Sequence, residues 1–198
     1  MAELSRKGTR MSGARIVLKR DVSRDQVGYV AYDKKWHIHS ATRESESPQR
    51  QVWVTKDGGT VITFLEDPYL ELRYLVVQGA QAAEAAQILR SALPCWTIEE
   101  SFEFLRTART SDEKIHAVYL TAASAPSNED PQIVTAIQEL ARDRHADVRQ
   151  ALLVAMGYLA SWSIVRSVAR FLKENDPDHD VRRSAEHLLE GLGLPKAT

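Results

Sequence analysis

Few residue types in this chain stand where they could do chemistry together. His37 and His39 alternate within Trp36-His-Ile-His-Ser40, so on a strand they share one face and could both reach a metal ion. No third ligand stands at a fixed spacing and Lys34 and Lys35 are adjacent, which favours solvent-facing strand residues. Asp176-Pro-Asp-His-Asp180 carries oxygen donors but lacks the spacing of a calcium loop. A turn between helices, followed by a helix cap, accounts for it. The single cysteine, Cys95, lies between Pro94 and Trp96. A nucleophilic thiol needs a placed base, and none is indicated. A lone thiol forms no internal disulfide, and no Cys/His framework for structural zinc exists. Gly58-Gly59 is turn chemistry without a phosphate-loop pattern. These residues predict no catalytic centre, no metal and no cofactor.

Charge is the other chemistry on offer. In the segment Trp162–Glu174, Val165, Val168 and Leu172 mark an apolar stripe, and Arg166, Arg170 and Lys173 then fall together on the outer side. Arg142 occupies the position corresponding to Lys173 on the preceding helix of the same type. Four such cations could hold an acidic protein segment, a phosphate or nucleic acid, because each guanidinium can make two hydrogen bonds to one carboxylate or phosphate. Glu139 dilutes the cluster.

Composition bounds what positions these groups. The 198 residues suffice for one domain or two small ones, and a hydrophobic fraction of 43% with 27% charged residues is ordinary for a folded protein. The formal net charge of -1 gives no global field towards nucleic acid or membrane. Met1 to Arg15 is polar and basic without an apolar run, so no leader or membrane anchor is expected there. The expected location is the cytoplasm, with no membrane partner.

The first half alternates with period two. A tail over residues 1–13 precedes strand signals at Arg15–Lys19, Val27–Tyr32 and Trp36–Ser40. The clearest hairpin is Gln51 to Glu66, turning at Lys56-Asp57-Gly58-Gly59, because Asp-Gly supplies the positive φ of a tight turn. Leu70 to Val77 reads as a last strand, with Leu72, Tyr74 and Val76 on one face and Leu75 and Val77 on the other. From Ala80 to Leu93 the period becomes helical and Pro94 ends it. Residues 14–95 are therefore predicted to form a mainly antiparallel sheet of four or five strands with one packed helix.

The second half, residues 96–198, repeats. Ile115, Tyr119, Ala122 and Ala123 are matched thirty-three residues on by Val148, Leu152, Ala155 and Met156, and again by Val181, Ala185, Leu188 and Leu189. Each set has the spacing of one helical stripe. Asp147-Val-Arg149 repeats as Asp180-Val-Arg182. Intervening helices carry Val134, Ile137, Leu140 and Ala141, then Val165, Val168, Phe171 and Leu172; an earlier one spans Thr97–Arg109.

This pattern resembles the HEAT-like repeats of the bilin-lyase type, over roughly the last 85 residues. The resemblance implies a short α-solenoid whose second helices line a concave side, which would carry Arg142, Arg166, Arg170 and Lys173. It also implies that Asp and Arg of Asp-Val-Arg bond neighbouring repeats. Exposed ends of such stacks are a liability. The last helix has no second helix after it before Gly191-Leu-Gly-Leu-Pro195, so Val181, Ala185, Leu188 and Leu192 are a candidate surface for a homodimer.

The fold class expected is α+β. The leading functional expectation is a non-enzymatic binding protein of bacterial type: a scaffold, regulator, chaperone or toxin-neutralising protein whose partner is another protein with an acidic segment. The alternatives are a nucleic-acid-binding helical-repeat protein and an enzyme with a site in the sheet around His37, His39 and Asp57. A repeat-type DNA glycosylase would use Trp162 and Asp143, but the neutral net charge opposes it.

Overall fold

The structure is a computed structural model and describes residues 13–43, 46 and 48–193. The expected tail thus lies outside the described residues, except for Gly13. The fold is α+β, and the chain divides into two compact units, Met1–Cys95 and Trp96–Thr198.

In the first unit β1 (Gly13–Val17), β2 (His37–Ala41), β3 (Gln49–Val54), β4 (Thr60–Asp67) and β5 (Leu72–Gly79) form one antiparallel sheet in the order β1-β5-β4-β3-β2. The Asp57-Gly58 turn closes β3 onto β4. Asp57 accepts from the Thr55 hydroxyl at 2.6 Å and from the Gly59 N–H, and Gly58 takes φ +73°. Those short bonds hold the Asp57 carboxyl below its usual range, the Thr55 hydroxyl contributing most.

One expected strand is a helix. Val27–Tyr32 lies within α1 (Arg24–Asp33), which starts at a capping box where Ser23 and Gln26 satisfy each other's backbone N–H. Val27 and Ala31, one turn apart, are its buried residues, while Tyr29 and Tyr32 face solvent. A strand would have buried every second residue, so helix periodicity overrides β propensity here. The sheet therefore carries two helices and not one, the second being α2 (Ala82–Ala92). Their Val27, Ala31, Ala82, Ala85, Ala86 and Leu89 pack in one apolar core with Ile16, Trp53, Ile62, Phe64, Leu75 and Val77.

The second unit is all helix: α3 (Ile98–Thr107), α4 (Ser111–Ser124), α5 (Pro131–Leu140), α6 (Ala146–Ala155) continued by a 3-10 turn at Met156–Leu159, α7 (Ser163–Asn175) and α8 (His179–Gly193). Thr97 and Thr110 open α3 and α4 with capping boxes, and Asp130 followed by Pro131 opens α5. The helices sharing the thirty-three-residue period lie against one another in turn, α4 on α6 and α6 on α8. The others back them, α3 on α4, α5 on α6 and α7 on α8. Helix α4 is covered by both α3 and α6, which buries Ala117, Val118, Leu120 and Thr121 besides the expected Ala122 and Ala123. Ile115 and Tyr119 are half-buried.

Two apolar assignments shift. On α5 the buried residues are Ile133, Ile137 and Ala141, with Val134 and Leu140 half-buried. On α7 Ala169 takes the inner place beside Val165, Val168 and Leu172, and Phe171 is turned out to 38% exposure.

Candidate functional site

Arg142, in the turn after α5, and Arg166, Arg170 and Lys173 of α7 are not brought to one free face. Arg166 donates to the Leu192 carbonyl and Lys173 pairs with Glu186 at 2.7 Å, so both lean on α8. Arg142 lies over the Phe171 ring, 5.2 Å from its centroid, and donates to the Gln138 carbonyl. Around α7, Phe171 and Lys173 project on opposite flanks of the buried stripe, so Arg142 and Lys173 lie on different sides. Arg170 is exposed.

The other sequence-marked groups are largely occupied by structure. His37 and His39 are exposed on edge strand β2, whose register against β3 shifts between Ile38 and Ser40 and so interrupts the alternation at His39. Asp178 accepts the Asp180 and Val181 N–H groups at the start of α8, while Asp176 is taken by Arg149. Among the described residues no group of three His, Cys, Asp or Glu could hold a metal ion. The half-buried Cys95 thiol donates to the Leu93 carbonyl, and burial pushes it up. Trp162 is buried in the core and Asp143 is engaged by Lys114 and His145, so the two do not make an open cleft. Of the expected self-association surface, Val181 and Ala185 are buried inside the unit, and only Leu188 and Leu192 are half-exposed at its end. The core of α8 faces α6 and α7, which accounts for the difference.

A groove of about 580 Å³ lies between α3 and α5. Whereas α5 packs on α7, α3 and α5 stand apart and expose a floor of Leu105, Ala136 and Leu140, with Phe102 on one wall. Arg106 rims the α3 side; Gln132, Thr135 and Glu139 rim the α5 side. Helix phase explains the layout, since Phe102 and Leu105 point between α3 and its neighbours while Arg106 is one step further round.

A polar cluster also lines the groove. Lys114 of α4 donates to Asp143 Oδ2 at 2.5 Å, and Asp143 Oδ1 takes the His145 N–H and contacts its Nδ1, both at 3.0 Å. Burial pushes the Asp143 carboxyl up, but the bonds from Lys114 and His145 outweigh it and hold it at about 2. Asp143 is thus a fixed anion at neutral pH. The groove was not visible in the sequence because it depends on the gap between two helices that are not neighbours in the chain.

Among the described residues no helix is long and apolar enough to cross a membrane. Comparisons with protein-family models, with curated proteins and with solved structures find no match to this chain.

Proposed function

We propose that this chain is a binding protein that holds a protein partner in the groove between α3 and α5, on a framework of HEAT-like helix pairs. The observation that carries the reading is the apolar floor of Leu105, Ala136 and Leu140 under a polar rim. A groove with apolar floor and polar edge matches the anatomy of protein interfaces, in which a desolvated centre is ringed by groups that keep their water. The framework reading is supported by the ordered contact of α4, α6 and α8. It is supported also by Arg149 and Arg182, thirty-three residues apart, which each donate to the carbonyl six residues upstream, Asp143 and Asp176. The pairing of Lys173 and Arg166 with α8 moves the binding surface away from the cations of α7.

The test compares wild type with Ala136→Trp, which fills the groove, and with Arg166, Arg170 and Lys173 all changed to Glu. Affinity capture from native cells, quantified by mass spectrometry, is expected to give a partner that Ala136→Trp loses and the triple variant keeps. Equal recovery by wild type and Ala136→Trp would remove the groove from the reading.

A further inference from the structure

We infer that the occupant of the α3–α5 groove is an amphipathic helix of a partner protein, with an acidic residue along one flank of its apolar stripe and a basic residue along the other. The inference rests on the groove being the binding site. Two observations set the occupant's chemistry.

The first is the nature of the walls. Both are helices, so away from the last turn of α3 their backbone N–H and C=O groups are already bonded, the end carbonyls of α5 to the N–H groups of Ala141, Arg142 and Asp143. An extended peptide laid on Leu105, Ala136 and Leu140 would bury unpaired backbone groups and find few on the walls to meet them. A helix brings its backbone already satisfied and presents side chains alone. The second is the charge of the two rims. Arg106 stands on the α3 side and Glu139 on the α5 side, both exposed. Arg106 pairs with Glu103 one turn back, at 3.0 Å, a solvated pair that a partner carboxylate can compete with. Lys114 and Asp143 neutralise each other in the lining and leave the rims to set the preference. A stripe flanked on both sides by acids would meet Glu139, and one flanked by bases would meet Arg106, so like charges oppose each.

The probes are three synthetic helical peptides with the same leucine stripe at i, i+3, i+4 and i+7. One carries Glu on one flank and Lys on the other, one Glu on both, one Lys on both. Each is titrated by fluorescence anisotropy into wild type, Arg106→Glu, Glu139→Lys and Ala136→Trp, all checked for helicity by circular dichroism. Wild type is expected to bind the mixed peptide about 3- to 10-fold tighter than the others, the effect of two exposed charge contacts. Arg106→Glu makes both rims acidic and is expected to prefer the all-Lys peptide. Glu139→Lys makes both basic and is expected to prefer the all-Glu peptide. The same peptide ranking in all three proteins overturns the charge pattern while leaving the groove as a site, provided Ala136→Trp still blocks binding. Binding that Ala136→Trp does not weaken, or no binding to wild type, overturns the groove itself. A wild-type dimer in sedimentation that Ala136→Trp dissociates makes a second copy of the chain the occupant and overturns the inference.

Discussion

Arg149 of α6 holds Asp176, the residue just after α7, with two hydrogen bonds, Nε to Oδ2 at 2.6 Å and Nη2 to Oδ1 at 2.8 Å. The two side chains are 7% and 1% exposed. Arg149 also reaches back to the Asp143 carbonyl, and Asp143 receives Lys114 from α4. Arg182 of α8 in turn donates to the Asp176 carbonyl. A polar ladder therefore runs from α4 through α6 to α8 and ties three successive helices along one edge. Lys114 and Arg149 each take a carboxylate from the turn that leads into the next helix of the set, and Arg149 and Arg182 also bond the turn before their own helix, so the ladder sets the spacing of helices that the apolar stripes alone would allow to slide.

Removing either member of the central pair leaves the other buried and unpaired. Arg149→Ala and Asp176→Ala are each expected to destabilise the protein by about 3 kcal/mol or more, because the stranded charge loses its partner and not its desolvation cost. The double change Arg149→Ala with Asp176→Ala is expected to cost much less than the two single changes added together. Urea titrations of the four proteins form the cycle. Additive costs would mean that the pair is not coupled in the folded state.

Acid should loosen the ladder from its Lys114 end. The Asp143 carboxyl has an ordinary value of 3.8 and is held at about 2 in the fold. A depressed carboxyl stabilises the native state above its unfolded value, and that stabilisation drains as pH falls towards the folded value. The window lies between about pH 4 and about pH 2, and the amount at stake is about 2 kcal/mol. Asp176 pushes in the same direction: burial raises its carboxyl, and the hydrogen bonds from Arg149 and the Asp178 N–H prevail and lower it. Stability measured at a series of pH values is expected to fall less steeply in Asp143→Asn than in wild type across this window. Parallel curves would show that the carboxylate is not stabilised by its neighbours.

Much of this arrangement is legible in the residue string, and the misreadings have physical causes. The Asp57-Gly58 hairpin declares itself because the turn needs a positive φ that few residues supply. The contact order of α4, α6 and α8 shows through the period of Val148 and Val181, since identical helix faces must meet similar neighbours. The segment Val27–Tyr32 misleads because its aromatic and β-branched residues suit a strand. The Ser23 and Gln26 capping box, with Val27 and Ala31 four apart, was the local sign of α1. Arg166 and Lys173 are a different matter. Their partners, Leu192 and Glu186, lie on another helix, and no local pattern reveals that two outward-looking cations are already engaged. The gap between α3 and α5 is of the same kind, being set by how each helix sits on the layer behind it.

The capping boxes of the helical unit should matter unequally. Thr97 and Thr110 each accept a backbone N–H at N3 and free the reciprocal glutamate, Glu100 and Glu113, to take the cap's own N–H. Thr110→Ala is expected to cost about 1 kcal/mol, as for other lost caps. Thr97→Ala is expected to cost a similar amount by itself, yet to loosen α3 and with it the side of the groove that carries Phe102 and Leu105. Hydrogen exchange of α3 amides is the measurement, and unchanged protection there in Thr97→Ala would refute the link between cap and groove wall.

Two glycines with positive φ should respond in opposite degrees to the same substitution. Gly58 sits at φ +73° with open space around it, so Gly58→Ala meets only the left-handed backbone penalty of about 1 kcal/mol. Gly79 ends β5 at φ +130°, a conformation that side chains rarely adopt. A methyl group there would lie 2.1 Å from the Gly59 carbonyl oxygen and 2.7 Å from the Thr60 Cα, both backbone atoms of the paired strand. Neither can move without opening the ladder in which Thr60 faces Gly79 and Ala80 donates to Gly59. Gly79→Ala is therefore expected to destabilise the sheet by several times the cost of Gly58→Ala, about 3 kcal/mol or more. Thermal melts of the two variants decide it. Equal melting temperatures would mean that β4 and β5 separate at this end and that their pairing stops short of Gly79.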